Sequence, residues 1–270
     1  MFKPILSVSL NCICKEINDD VISILNDSQI GNLELHPVLF PEEGKYSPET
    51  FLDKLDKAKA GSLHSPYGRG YDFSTSNKDE LAQAFTAFSK SLELADRLNI
   101  PLIIVHSSIE PITDEERSMR LRIARESIRK LADICAEKEK RLAIELLPRS
   151  CIGNHENELL ELTDGLSQRH VGICLDTNHM MSRPDKLPEL VKNLGGSLFA
   201  LHMSDYNGID EQHFLPGKGV IDWKAFLASL HTIGFPGPLT FECVVPDIPF
   251  QSKVREIEKC YAWLISLIQR

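Results

Sequence analysis

A chain of 270 residues with 42% hydrophobic content can bury one large core, and it lies in the range where α/β barrels run as one domain. Its formal charge of −9 repels polyanions, which argues against nucleic acid as a partner. No stretch approaches the roughly eighteen continuous apolar residues of a membrane helix, so no membrane partner is expected.

In chain order, residues 5–11 alternate apolar side chains with Ser7, Ser9 and Asn11, which predicts a first strand rather than a targeting segment. Cys12 and Cys14 follow it, and no second cysteine pair completes a zinc-ribbon pattern. Short Val, Ile and Leu runs predict further strands at 32–37, 60–65, 102–106, 142–146, 171–175, 198–203 and 239–244. Amphipathic segments separate them. The clearest, 78–98, sets Leu81, Phe85, Phe88, Leu92 and Ala95 on one face, and 114–137 does the same with Met119, Ile123, Ile128, Leu131 and Cys135. Strand-then-helix alternation implies parallel strands with right-handed crossovers, and eight strands close a (β/α)₈ TIM barrel. An open doubly wound sheet is the competitor, but no Gly-x-Gly-x-x-Gly turn follows the first strand. No linker or repeat divides the chain, so residues 1–270 are read as one barrel domain. The seven cysteines are odd in number and dispersed, a poor disulfide framework that suggests a cytoplasmic protein.

Metal-capable residues recur at the same end of successive strands. These are His64, His106, Glu145, Asp176 with His179, His202 and Glu242. In a barrel those ends converge on one mouth. Singly, each has an ordinary explanation as a cap or ion-pair partner. Jointly they suit a divalent cation such as Mn, Mg, Co or Zn, because ionisable groups inside apolar strands cost several kcal/mol unless paired or metal-bound.

The segments Ala-Ile-Glu145-Leu, Leu-Asp176-Thr-Asn-His179, Leu-His202-Met-Ser-Asp, Pro-Gly217-Lys-Gly219-Val-Ile-Asp222-Trp223 and Thr-Phe-Glu242 resemble the xylose-isomerase-like TIM-barrel superfamily along essentially the whole chain. That superfamily includes sugar isomerases and epimerases, related dehydratases, and barrel-type zinc apurinic endonucleases. The resemblance implies that Glu145, Asp176, His202 and Glu242 hold the metal, and that Glu145 and Glu242 are also the catalytic acid/base pair. The implied reaction is isomerisation or epimerisation of a sugar or sugar phosphate, by proton abstraction next to a carbonyl through a metal-stabilised enediolate. His64, His106, His179 and His213 are then expected to contact a small carbohydrate substrate. A dehydratase of an inositol- or shikimate-type keto compound is the alternative within the same chemistry. Barrels of this kind often form homo-oligomers.

The endonucleases of the superfamily hold three zinc ions with a larger set, for which this chain offers His64, His106, Glu145, Asp176, His179, His202, Glu211, His213 and Glu242. Glu211 departs from that pattern, which has an aspartate two residues before the histidine. The acidic balance, with Glu42, Glu43, Asp72 and Asp210 expected near the mouth, also weighs against DNA repair. Among lesser features, Pro216-Gly217-Lys218-Gly219 can cradle a phosphate or simply turn the chain into a helix near Asp222. Arg69 and Arg149 can clamp an anion or lie at the surface. Tyr67 and Trp223 can stack on a sugar, although Trp223 at a helix start suits packing.

Overall fold

A computed structural model describes residues 4–245 and 248–268. Eight parallel strands alternate with eight α-helices: β1 Leu6–Ser9, α1 Asp19–Asp27, β2 Asn32–Leu35, α2 Pro48–Leu52, β3 Lys59–His64, α3 Lys78–Arg97, β4 Leu102–Val105, α4 Asp114–Glu137, β5 Arg141–Glu145, α5 Glu156–Thr163, β6 Val171–Asp176, α6 Leu187–Leu194, β7 Leu198–His202, α7 Trp223–Ile233, β8 Leu239–Phe241 and α8 Phe250–Ile268. The sheet order is β7-β6-β5-β4-β3-β2-β1-β8, and a parallel bridge from Met203 to Phe241 draws the outer strands together. The architecture is a single TIM barrel.

Strands such as β1, β4 and β6 are buried on both faces because each face meets protein. On β4, Ile103 and Val105 join the large core between strands and helices, while Leu102 and Ile104 pack with Ala143, Cys174 and Ala200 in a smaller cluster. Asn77 caps α3 by accepting from the Asp79 and Glu80 N–H groups, and Thr113 forms a capping box with Glu116 on α4. The buried side of α4 is Ala124, Ile128, Leu131 and Cys135; Met119, expected on it, is exposed.

Several strands are shorter than their apolar runs suggest. The first stops at Ser9, where Leu10–Cys12 tightens into a 3₁₀ turn, and the last stops at Phe241. Pairing ends where the chain turns outward to form the mouth, so His106 and Glu242 stand one residue beyond their strands. Among the described residues no helix is long and apolar enough to cross a membrane.

Candidate metal centre at the barrel mouth

Each side chain expected at the mouth is there. Glu145 ends β5, Asp176 ends β6, His202 ends β7, and Glu242 follows β8. Each of the four offers one ligand atom, and these atoms all lie within 4.8 Å of one another. All four residues are buried. His202 Nδ1 is 3.2 Å from Glu242 Oε2 and 3.3 Å from Glu145 Oε1, yet it makes no hydrogen bond, and Asp176 Oδ2, 3.4 Å from His179 Nδ1, likewise makes none. Buried polar atoms without partners cost free energy, and here both turn toward one point among three carboxylates. The donor set of three carboxylates and one imidazole fits a hard or borderline divalent cation.

The expected histidines surround this group. His64 Nδ1 donates to the Ser65 carbonyl at 2.8 Å and its Nε2 lies 3.0 Å from Glu145 Oε2, with His106 Nε2 at 3.2 Å from the same oxygen. His179 Nδ1 donates to the Leu146 carbonyl at 2.7 Å, which leaves Nε2 facing Glu211 Oε2 at 3.8 Å. His213 Nε2 is also 3.8 Å from that oxygen, and its Nδ1 donates to the Glu242 carbonyl at 3.1 Å. Besides a Glu145–Cys174–His202 group that shares two members with the centre, two further groups could ligate: His64 with His106 and Glu145, and His179 with Glu211 and His213. The longer glutamate at 211 reaches both rings.

Charge sorts the residues. Burial pushes Glu145 up, but His202 and His106 outweigh it and hold the carboxyl well below its usual range. Burial pushes Glu242 up to about 7; Asp176 and Glu145 reinforce it and His202 opposes it. Burial would lower His179, yet Asp176 and Glu211 carry it to about 10. His213 is opposed by burial and raised by Glu211 to about 9. His106 goes the other way, lowered by burial.

Glu34, on β2, escaped the sequence reading. It is 1% exposed and its Oε2 lies 3.1 Å from His202 Nε2. The signal was present: a glutamate inside the apolar run Asn-Leu-Glu34-Leu is the same anomaly that flags Glu145.

The lesser features resolve by their partners. Asp205 accepts from the N–H groups of Gly217 at 2.8 Å and Ile221 at 3.2 Å, and from Trp223 Nε1 at 2.8 Å. The Pro216–Gly219 loop thus closes on a carboxylate of its own chain, and a Cβ at Gly219 would sit 2.1 Å from the Tyr206 carbonyl. Trp223 packs in the core at 2% exposure. Arg149 contacts Glu110 at 2.6 Å and Asp210 and Glu211 at 2.7 Å. Arg69 is exposed, whereas Tyr67 stacks on His106 with ring centroids 4.5 Å apart. Asp72, expected as free acidity near the mouth, is buried against Arg120 at 2.5 Å.

A family model described as xylose isomerase-like TIM barrel matches residues 25–267. The chain belongs to that family. Among curated relatives of this xylose isomerase-like barrel, the inosose isomerase of Halalkalibacterium halodurans is 25% identical over 183 residues, which are 63% of this chain and 64% of that protein. The first curated relatives are matched over about half to two-thirds of their length. Among solved structures, D-psicose 3-epimerase with D-tagatose from Clostridium cellulolyticum H10 superposes with TM-score 0.78 at 18% identity, covering 97% of this chain and 98% of that one. The IOLI protein with a bound zinc atom gives 0.77 at 17% identity with the same coverage. These likenesses show the fold.

Proposed function

We propose that this protein is a divalent-metal-dependent isomerase or epimerase of a sugar or related polyol ketone, working by proton transfer beside a carbonyl. The observation that carries this reading is the buried Glu145–Asp176–His202–Glu242 group, with two polar atoms lacking partners and all four ligand atoms within 4.8 Å. A cation held by these four residues supplies positive charge beside the carbonyl and favours the enediolate.

The chain's own residues handle the proton. Glu145, kept ionised, takes it from carbon, and Glu242, with its carboxyl near 7, holds or returns one at the adjacent atom. His64 and His106 converge on Glu145 Oε2 and orient it. His179 and His213 present Nε2 to the mouth, where they hydrogen-bond substrate hydroxyls, and Tyr67 flanks the same space. Of the three features that could grip a phosphate, Arg149 and the Gly217 loop already have partners within the chain, and exposed Arg69 is the one left to meet an anion. The dispersed free cysteines support action in a reducing compartment.

Incubation with ketoses and inososes in D₂O, with Mn²⁺, Mg²⁺, Co²⁺ or Zn²⁺, tests this by incorporation of deuterium next to the carbonyl. Incorporation is expected, and Glu145→Gln should slow it by about 10²- to 10⁴-fold. No exchange across the panel overturns the reading. Exchange accompanied by loss of water assigns the dehydratase chemistry.

The two additional ligand groups favour a second reading, a trinuclear zinc phosphodiesterase. About three zinc ions per chain with cleavage of abasic duplex DNA would establish it. One ion per chain and intact DNA keep the sugar chemistry.

A further inference from the structure

Glu34 has no role in the reading above, yet three strands besides its own converge on its carboxylate. Ser9 Oγ on β1 donates to Oε1 at 2.9 Å, Ser62 Oγ on β3 donates to Oε2 at 2.9 Å, and His202 Nε2 on β7 lies 3.1 Å from both oxygens. The residue is 1% exposed. A carboxylate carried into the interior costs several kcal/mol unless hydrogen-bonded, and an apolar residue of equal volume would fill the space at less expense. The pair of serines holds one lone pair of each oxygen, so that the carboxylate is restrained with both oxygens turned to one further donor, the Nε2–H of His202.

A neutral imidazole anchored through Nε2–H carries its lone pair on Nδ1. Its Nδ1 is turned to the point where Glu145 Oε1 and Glu242 Oε2 approach at 3.3 and 3.2 Å, and it finds no hydrogen bond there. We propose that Glu34 is a positioning residue of the metal centre, fixing the ring orientation and tautomer of His202 so that the Nδ1 lone pair faces the Glu145, Asp176 and Glu242 carboxylates. This rests on the metal reading and deepens it. With a neutral amide in place of the carboxylate, which can turn either its oxygen or its NH₂ to Nε2, the ring proton is no longer held on Nε2 and the ring can turn about Cβ–Cγ, which removes the lone pair from the centre. Loss of such outer partners of a ligating histidine typically weakens metal binding by about ten- to a hundredfold.

The test measures the Kd of Mn²⁺ and Zn²⁺ by competition with a chromophoric chelator, for the wild-type chain and Glu34→Gln, beside the melting temperature and circular dichroism of the metal-free proteins. Glu34→Gln keeps the volume, and is expected to weaken binding about ten- to a hundredfold while leaving the metal-free fold intact. Ser62→Ala, which removes one restraint on the carboxylate, is expected to weaken it about two- to tenfold. If Glu34→Gln does not fold, Ser62→Ala decides. In ¹⁵N-histidine-labelled, zinc-loaded protein, the His202 resonances should show Nε2 protonated and Nδ1 on the metal, a signature that a merely space-filling Glu34 would leave unchanged on substitution. Wild type that binds while the variants bind within twofold of it overturns the positioning role and leaves the metal reading standing. Wild type that binds neither cation overturns both.

Discussion

Asp205 and Asp176 are both buried carboxylates beside the barrel mouth, and the fold treats them oppositely. Asp205 accepts from the N–H groups of Tyr206, Gly217 and Ile221 and from Trp223 Nε1. Asp176 accepts from Asn178 N–H through Oδ1 at 2.7 Å and leaves Oδ2 without a hydrogen bond. The first carboxylate has its capacity filled by its own chain and holds a loop together. The second keeps capacity in reserve, next to an equally unpartnered His202 Nδ1. Burial alone therefore does not distinguish structure from chemistry in this barrel; the state of the remaining lone pairs does.

The sharpest way to break that contrast is to truncate the satisfied member. Asp205→Ala strands three backbone donors and an indole N–H in a buried loop, and should lower the unfolding free energy by about 3–5 kcal/mol. Urea titration of the metal-free protein measures this. The fraction that remains folded should bind Mn²⁺ with near wild-type affinity, because none of the stranded groups belongs to the four-residue centre. A loss below about 1 kcal/mol would mean that the loop does not depend on its internal carboxylate.

Asp176→Asn is the complementary cut. The amide oxygen still accepts from Asn178, so the strand end keeps its turn, while one charge leaves a crowd that includes Glu145 and Glu242. Metal affinity should fall by more than about a hundredfold, beyond the effect of outer partners, while metal-free stability falls only modestly, because relief among the carboxylates is set against the loss of the Asp176–His179 ion pair at 3.4 Å. A metal-free protein that instead melts well below wild type would place Asp176 with Asp205 as a structural group.

How much of this contrast the sequence revealed depends on the distance over which each carboxylate finds its partners. The eight strands were legible because Val, Ile and Leu runs end in polar residues, and both faces of a strand such as β4 are buried. Glu145, Asp176, His202 and Glu242 were legible because each interrupts or ends such a run. Glu34 carries the same anomaly, but it precedes its strand end and points to His202, 168 residues away, so only the closed barrel reveals the pair. Asp205 stands in an ordinary Ser-Asp-Tyr context, and its loop partners lie 12 to 18 residues on. The glycines of that loop read equally well as a phosphate cradle until the N–H groups are seen to have an acceptor.

Acidity sharpens the comparison by a smaller factor. Burial and the neighbouring carboxylates place Glu242 at about 7, so below that pH its carboxyl holds a proton that a cation must displace. Mn²⁺ affinity should therefore weaken on acidification below 7, by about tenfold per pH unit for the proton displaced from Glu242. Isothermal titration in buffers of different ionisation enthalpy counts the released protons. Affinity independent of pH between 6 and 8 would show that Glu242 is not displaced by the ion.

The smallest effect is expected at Arg149, which belongs with Asp205 as a charge already provided with partners. Its guanidinium meets Glu110, Asp210 and Glu211 at the solvent-facing rim. Exposed pairs of this kind contribute little, so Arg149→Ala should shift stability by under about 1 kcal/mol. An arginine engaged by three carboxylates has no unmatched charge to offer an incoming anion, and inorganic phosphate should inhibit wild type and Arg149→Ala alike, if at all. Phosphate inhibition that disappears in the variant would show the guanidinium leaving its carboxylates for a ligand, and the substrate would then have to be sought among phosphorylated sugars.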